Sequence, residues 1–369
     1  MMRDSARTIR RGTGVALAGT LAVAALVVPA APASADTTIS ANEQTFYGYY
    51  RLDAIHSSGY TGEGVTIALV DGPINTQIPE LAGARIQSYS PCAVDSQDKS
   101  WDHGTVIAQV ISSPQFGVAP GANLRAYTLS FAGETTGNDC ALGQWGRGYS
   151  DLALLIEDAL NDGVDVITTS SSYPSDYEGM RWALARAIAS KVPVVACVGN
   201  DSTSNSTDWL PAWGGVVGVG AIETNGRPSD YQNWGRPLST AALARPLARS
   251  GVSQERGEWW GTSFASPVVA GSLALSMQRW PRATGNQIMQ GLARTGVGGN
   301  GGEWNQYTGY GALDIYAMLT TNPTSFPDEN PFMDKGTNTV PSRQDVQDYI
   351  DGVVDPRVVM NDNSYEYLG

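Results

Sequence analysis

At 369 residues, with 42% hydrophobic and 16% charged residues, the chain has the length of one large domain or two ordinary ones and can fill a core, which excludes wholesale disorder. Its 36 acidic against 23 basic residues give a formal charge of −13, which argues against a protein that works by gripping nucleic acid. Three cysteines exclude a disulfide-dense scaffold, and two histidines, His56 and His103, are the whole supply of imidazole.

The chain opens with Arg3, Arg7, Arg10 and Arg11, continues through an apolar run from Val15 to Val28, and reaches the small-residue stretch Ala33-Ser34-Ala35. That is the order of a secretory signal over residues 1–35, cleaved before Asp36. The apolar run is short for a spanning helix. Arg10-Arg11 is a fragment of a twin-arginine signal that lacks the hydrophobic residue expected shortly afterwards. Cleavage removes four arginines and one aspartate and carries the charge from −13 to −16. No later stretch is long and apolar enough to cross a bilayer, so a secreted protein without membrane attachment is expected.

Residues 36–60 read as an N-terminal extension. Val65-Thr66-Ile67-Ala68-Leu69-Val70 is a short apolar run that predicts a buried strand. Asp151 to Leu160 predicts a helix ended by Asn161-Asp162-Gly163, and Val164-Asp165-Val166-Ile167-Thr168 predicts a second strand. Glu178 to Ser190 carries Trp182, Leu184, Ala185, Ile188 and Ala189 at helical spacing. Pro193 to Val198 and Val216 to Ile222 predict two further strands. This alternation defines an α/β class, a parallel β-sheet flanked by helices on both faces. Sites in such folds form at the carboxyl ends of strands, which directs attention to the residues after Val70, Thr168 and Val198.

No internal repeat of 20 to 50 residues is apparent. From Pro323 to Gly369 there are nine acidic residues against three basic ones and few large apolar side chains. That composition predicts a loosely ordered acidic tail, 323–369, outside a core domain of residues 61–322. Cys92 and Cys140 lie in polar stretches and Cys197 inside an apolar one. Export favours oxidation, and the burial expected of Cys197 selects a Cys92–Cys140 disulfide from the three possible pairings.

Gly261-Thr262-Ser263-Phe264-Ala265-Ser266-Pro267-Val268-Val269-Ala270-Gly271 sets a serine at the start of an apolar helix. Backbone N–H groups there have no intrahelical partner and favour negative charge, so an oxyanion formed by attack of Ser263 would have donors ready. Taken singly, Ser263 reads equally well as an N-cap, Asp71 as a turn residue before Gly72-Pro73, Asn200 as an Asx-turn and His103 as a helix cap.

The segment from Gly261 to Gly271 resembles the serine motif of the subtilisin-like proteases (subtilases, peptidase family S8). Ile67-Ala68-Leu69-Val70-Asp71 is similar to the family's aspartate motif, and Asp102-His103-Gly104-Thr105-Val106-Ile107-Ala108 to its histidine motif. Val195-Ala196-Cys197-Val198-Gly199-Asn200 resembles the segment carrying the oxyanion asparagine. The order Asp, His, Ser is that of subtilisin, and the resemblance runs from about residue 55 to 320. It implies the subtilisin-like three-layer fold. It also implies that Ser263 attacks a peptide carbonyl, His103 is general base and acid, Asp71 orients His103, and Asn200 donates to the oxyanion. Ser170, Ser171, Ser172 and Gly199 fall where the family binds substrate backbone.

Three departures are informative. Gly72-Pro73 follows the aspartate where Ser or Thr and then Gly are usual, a variant similar to the proteases that trim ribosomal peptides such as cyanobactins. Val106 replaces a second histidine, and Ser172 replaces a glycine where substrate backbone approaches. The 35 residues between Asp36 and Asp71 are too few for a domain-sized propeptide, so the extension is expected to pack along the catalytic domain, as in mycosin-like subtilases. Family members often bind calcium, but no contiguous acidic loop has ligand spacing, so no metal or other cofactor is assigned. The expected activity is that of a secreted serine endopeptidase with a peptide or protein as its partner, no nucleic acid and no membrane. The departures lean toward a dedicated processing protease for a secreted precursor. A catalytically silent binding protein on the same fold finds no support, since all four catalytic positions are intact.

Overall fold

The computed structural model describes residues 38–90, 99–129, 152–170, 177–204, 209–243, 245–299, 302–336 and 339–353. The expected signal segment, Cys92, Cys140, Ser171 and Ser172 lie outside these residues. Two short helices come first, α1 (Thr45–Tyr49) and α2 (Leu52–Ser57). They are followed by β1 (Thr66–Asp71), β2 (Ile86–Tyr89), α3 (Lys99–Ser112) and β3 (Asn123–Thr128). Next come α4 (Leu152–Asn161), β4 (Val166–Thr169), α5 (Tyr177–Ala189), β5 (Val194–Cys197), β6 (Val217–Ile222) and β7 (Thr240–Leu243). A hairpin of β8 (Leu247–Arg249) and β9 (Arg256–Glu258) leads to α6 (Ala265–Arg279), α7 (Gly285–Thr295), α8 (Ile315–Thr320) and α9 (Arg343–Ile350).

Seven strands form one sheet in the order β2-β3-β1-β4-β5-β6-β7, and every neighbouring pair is parallel. Because successive side chains of a strand point to opposite faces, β1 sends Ile67 and Leu69 into one apolar layer and Ala68 and Val70 into the other. β5 divides Val195 from Val194 and Ala196 in the same way. The first layer lies under α3, α6 and α7, the second under α4 and α5, which is the predicted sheet with helices on both faces. α6 is buried along Ala265 to Ser276, so it runs through the domain instead of over it. The chain leaves β1 for β2 and β3 on one side and then crosses to β4 on the other. The carboxyl ends of β1, β4 and β5 therefore meet at a reversal of strand order, the place such sheets offer a ligand.

The N-terminal extension packs on the domain as expected: Ile39, Phe46, Leu52 and Ile55 join the larger core, and the Tyr50 hydroxyl accepts the backbone N–H of Leu243 at 2.8 Å. The expectation of a tail outside the core is corrected for residues 323–353. Phe332 is 2% exposed within the core. The backbone of residues 214 and 215 donates to Val340 O at 2.8 Å and Phe332 O at 3.0 Å, and Arg181 of α5 pairs with Asp345 of α9. The net acidity that suggested a solvated tail is real, but Phe332, the buried Asn330 and Lys335 side chains, the Arg181–Asp345 pair and backbone hydrogen bonds seat it. Among the described residues no helix is long and apolar enough to cross a membrane.

Candidate active site

Asp71 is the last residue of β1 and His103 lies in the first turns of α3. What lets strand and helix meet is a pair of glycines. A Cβ on Gly104 would overlap the carbonyl of Gly72, lying 2.7 Å from its carbon and 2.8 Å from Pro73 O. A Cβ on Gly72 would lie 2.7 Å from Ser100 Cβ and overlap the Ser100 carbonyl. With neither side chain present, His103 Nδ1 reaches Asp71 Oδ1 at 2.7 Å. Asp71 Oδ1 also accepts its neighbour's N–H, Gly72 N, at 2.8 Å, which fixes the carboxylate plane. The carboxylate is fully buried and the imidazole 20% exposed. Burial alone would depress the His103 pKa, but the charge of Asp71 and its hydrogen bond outweigh burial and raise it above 6.5.

Ser263 sits in the 3₁₀ turn Thr262–Phe264 that opens α6. The turn starts at Gly261, whose φ of 138° is a conformation L side chains rarely adopt. Phe264 places its ring 5.6 Å, centroid to centroid, from the His103 imidazole, so the residue after the serine packs on the histidine. The Ser263 carbonyl accepts the Ser170 hydroxyl at 2.8 Å, and the Ser263 hydroxyl faces Cys197 Sγ at 3.9 Å.

Asn200 follows β5 and is exposed. Its Oδ1 accepts both the N–H of Thr262 at 2.8 Å and the Thr262 hydroxyl at 3.0 Å. The same hydroxyl accepts the N–H of Gly199 at 3.1 Å. With the oxygen committed to two donors from Thr262, the residue before Ser263, the amide nitrogen is the end of the side chain left to donate elsewhere. An amide N–H and the N–H groups that open α6 are what a developing oxyanion requires.

Of the sequence candidates, Asp71, His103, Ser263, Asn200, Ser170 and Gly199 converge here. Ser170 uses its hydroxyl internally, on the backbone carbonyl of Ser263. His56 is elsewhere: its Nε2 lies 3.0 Å from Val118 O and its Nδ1 3.4 Å from the Tyr47 hydroxyl, and burial lowers its pKa, so it is a neutral packing residue. Val106, in place of a second histidine, is wholly buried. Cys197 is buried and lies against Ser263, its thiol donating to Ser170 O at 3.4 Å. Thr262 stands inside the serine motif, and its adjacency to Ser263 is the signal in the sequence that points to it. Gly72 and Gly104 carried a signal too, as a glycine directly after each of two charged candidates. Among the described residues no group of three or more His, Cys, Asp or Glu side chains is gathered as a metal site would need.

A sheet of this order with such a site is the architecture of a serine hydrolase. Residues 62–311 match the model of the subtilase family, and the chain belongs to that family; it is a subtilisin-like serine protease, hydrolysing peptide bonds. It is 31% identical to subtilisin BL of Lederbergia lenta over 248 residues, covering 66% of this chain and 87% of that protein. It is 29% identical to subtilisin E of Bacillus subtilis over 276 residues, 72% of this chain and 68% of the relative. Among solved structures it is similar to MycP1, a serine protease described as an essential component of the type VII (ESX-1) secretion system. That match has 27% identity and a TM-score of 0.61 and covers 78% of this chain and 90% of the other. The prenylagaramide maturation protease PagA shares the fold at 22% identity and a TM-score of 0.56, covering 73% of this chain and 96% of the other.

Proposed function

We propose that the chain is an exported endopeptidase in which Ser263 is the nucleophile, His103 the general base, Asp71 its orienting carboxylate and Asn200 the oxyanion donor. The observation that carries this reading is the 2.7 Å hydrogen bond between Asp71 and His103, on whose imidazole the residue following Ser263 packs. Asp71 holds the proton of His103 on Nδ1, which leaves Nε2 basic. Ser263 Oγ gives its proton to Nε2 as it attacks the carbonyl carbon, and the carbonyl oxygen takes the charge. Asn200 Nδ2 and the Ser263 N–H bind that oxygen. His103 then returns the proton to the leaving amine, and water repeats the sequence on the acyl-enzyme. Because the base must be neutral and its pKa is raised, activity is lost on the acid side of a value above 6.5. The reading of residues 1–35 as a secretory signal supports export.

A fluorophosphonate tests the assignment: it should modify Ser263 alone, with labelling lost in Ser263→Ala and in His103→Ala and kept in His56→Ala. Stoichiometric labelling of another serine overturns it. Within this activity, the similarity to MycP1 and the Asp71-Gly72-Pro73 departure favour a dedicated processing role on an exported precursor over general digestion. Cleavage of a peptide library confined to a narrow sequence class is the expected result; unselective cleavage returns the general reading.

A further inference from the structure

Asn200 can bind an oxyanion only if the loop that carries it is held still, and one residue outside the motifs holds it on both sides of Asn200, beside the hydrogen bonds of Ser202 to Tyr231 O at 3.0 Å and Asp230 O at 2.6 Å and of Trp234 N to Thr203 O at 3.0 Å. Asn233 lies in the connection between β6 and β7 and is 3% exposed. Its backbone N–H donates to Gly199 O at 3.0 Å, on the N-terminal side of Asn200. Its side-chain oxygen accepts the N–H of Asp201 at 3.0 Å, the N–H of Thr203 at 3.1 Å and the Thr203 hydroxyl at 3.2 Å, on the other side. Its amide nitrogen donates to Asp201 Oδ2 at 3.3 Å. Two backbone N–H groups face one end of the amide, so that end is the oxygen.

The loop needs such a clamp, because its conformation is unfavourable by itself. Ser202 stands at φ 52°, in the left-handed region, and Gly199 at φ 97°. A side chain on Gly199 would overlap the Trp209 ring and place its Cβ 2.5 Å from Asn233 Nδ2, so the loop is pressed against its support. Left-handed backbone at a non-glycine residue is unfavourable and persists only where neighbours impose it.

We infer that Asn233 is a positioning residue for the oxyanion donor: its hydrogen bonds go to the residues on either side of Asn200, and through them it sets where the Asn200 amide stands. This rests on the oxyanion reading of Asn200. A preorganised donor is worth roughly 100- to 1,000-fold in turnover, and a misplacement near 1 Å costs on the order of 100-fold. Asn233→Ala should therefore lower kcat about 10- to 100-fold with KM within about twofold.

The decisive experiment is a double-mutant cycle on a chromogenic peptide, with Asn200→Ala, Asn233→Ala and the pair, each variant checked for its thermal transition. If Asn233 acts through Asn200, adding Asn233→Ala to Asn200→Ala changes kcat by less than about twofold. A loss of equal size in both backgrounds, or one confined to KM, overturns the inference and leaves the oxyanion reading standing. A neutral Asn200→Ala overturns that reading and the inference with it. Charge offers a second test should Asn233→Ala fail to fold. Asn233→Asp keeps the acceptor but sets a second carboxylate against Asp201 at the 3.3 Å contact. Adding Asp201→Asn restores a donor–acceptor pair, and recovery of kcat by at least about tenfold is expected; no recovery counts against the clamp.

Discussion

Gly104→Ala is a change of one methyl group that should disable the proposed general base, His103, without touching it. The added Cβ would overlap the Gly72 carbonyl and lie 2.8 Å from Pro73 O, where contacts below 3.0 Å are essentially never found. Relief requires the end of β1 and the start of α3 to part by about 1 Å. The 2.7 Å bond between Asp71 and His103 would then stretch past 3.5 Å and cease to be one. Alanine gains about 1 kcal/mol over glycine in a helix interior, but overpacking costs about 1–3 and the loss of a charge-assisted hydrogen bond about 1.5–3 kcal/mol, so the steric terms win. Turnover should fall between about 100-fold, the effect of a 1 Å misplacement, and about 10,000-fold, the effect of losing the aspartate's role. The pH profile gives a signature that simple damage would not. With Asp71 withdrawn, burial acts on His103 unopposed, so the acid limb of whatever activity remains should move to lower pH. The assay is kcat/KM across pH on a chromogenic peptide, beside thermal unfolding. Near-normal kcat with an unmoved acid limb would refute the idea that the paired glycines set the contact.

Glu80 and Arg249 form a buried pair, Oε2 to Nε at 2.7 Å and Oε1 to Nη2 at 2.9 Å, with side chains 0% and 2% exposed. Glu80→Ala strands the guanidinium and should cost about 3–5 kcal/mol in urea unfolding, whereas replacing both partners by apolar residues should cost far less. Phe332→Ala should cost about 3–5 kcal/mol, and truncation after Asn322 at least as much; a truncated chain with an unchanged melting temperature would refute the packed tail. Lys335 is buried, donates to Pro237 O and Ser239 Oγ at 3.0 and 2.8 Å, and has its pKa pushed down to about 7. Between that value and the ordinary 10.5 the unfolded chain holds a proton that the folded one lacks, so stability should rise with pH across the window, by at most about 1.4 kcal/mol per unit, and level off below 7. Lys335→Met should flatten that slope, measured as urea midpoints at several pH values.

The parts of this protein that a sequence exposes are those governed by periodicity and by motif. Val65 to Val70, Pro193 to Val198 and Val216 to Ile222 are β-branched runs without competing signals, and each is a strand of the sheet within a residue or two. β2, with Gln87 and Ser88 in its middle and three of four residues exposed, has no such pattern, and β7 is read past because Ala241 and Ala242 favour neither period. The family is legible because four motifs fall in order, and they name the candidate site residues. The glycine pair that joins Asp71 to His103 and the hydrogen bonds around Asn200 are not legible. They depend on which backbone atoms meet across more than 30 residues of chain, and no local pattern encodes that. The tail was misread for the opposite reason: net charge describes solvation of the whole segment, while its attachment turns on Phe332, Asn330 and Lys335.

The two halves of the site are held by different physics, and they should fail differently. The base side depends on excluded volume, with strand and helix in backbone contact because Gly72 and Gly104 carry no side chain. Packing of that kind has no graded response: it tolerates solvent and pH, and gives way abruptly to one added carbon. The oxyanion side depends on directed hydrogen bonds, from Thr262 to Asn200 Oδ1 within the site and from the loop to Asn233 behind it. Hydrogen bonds can be weakened by degrees, since water or a shorter side chain replaces part of what is lost. Substitutions around Asn200 should therefore give a series of intermediate kcat values at nearly constant KM, whereas substitutions at the glycine pair should divide into active and inactive with little between.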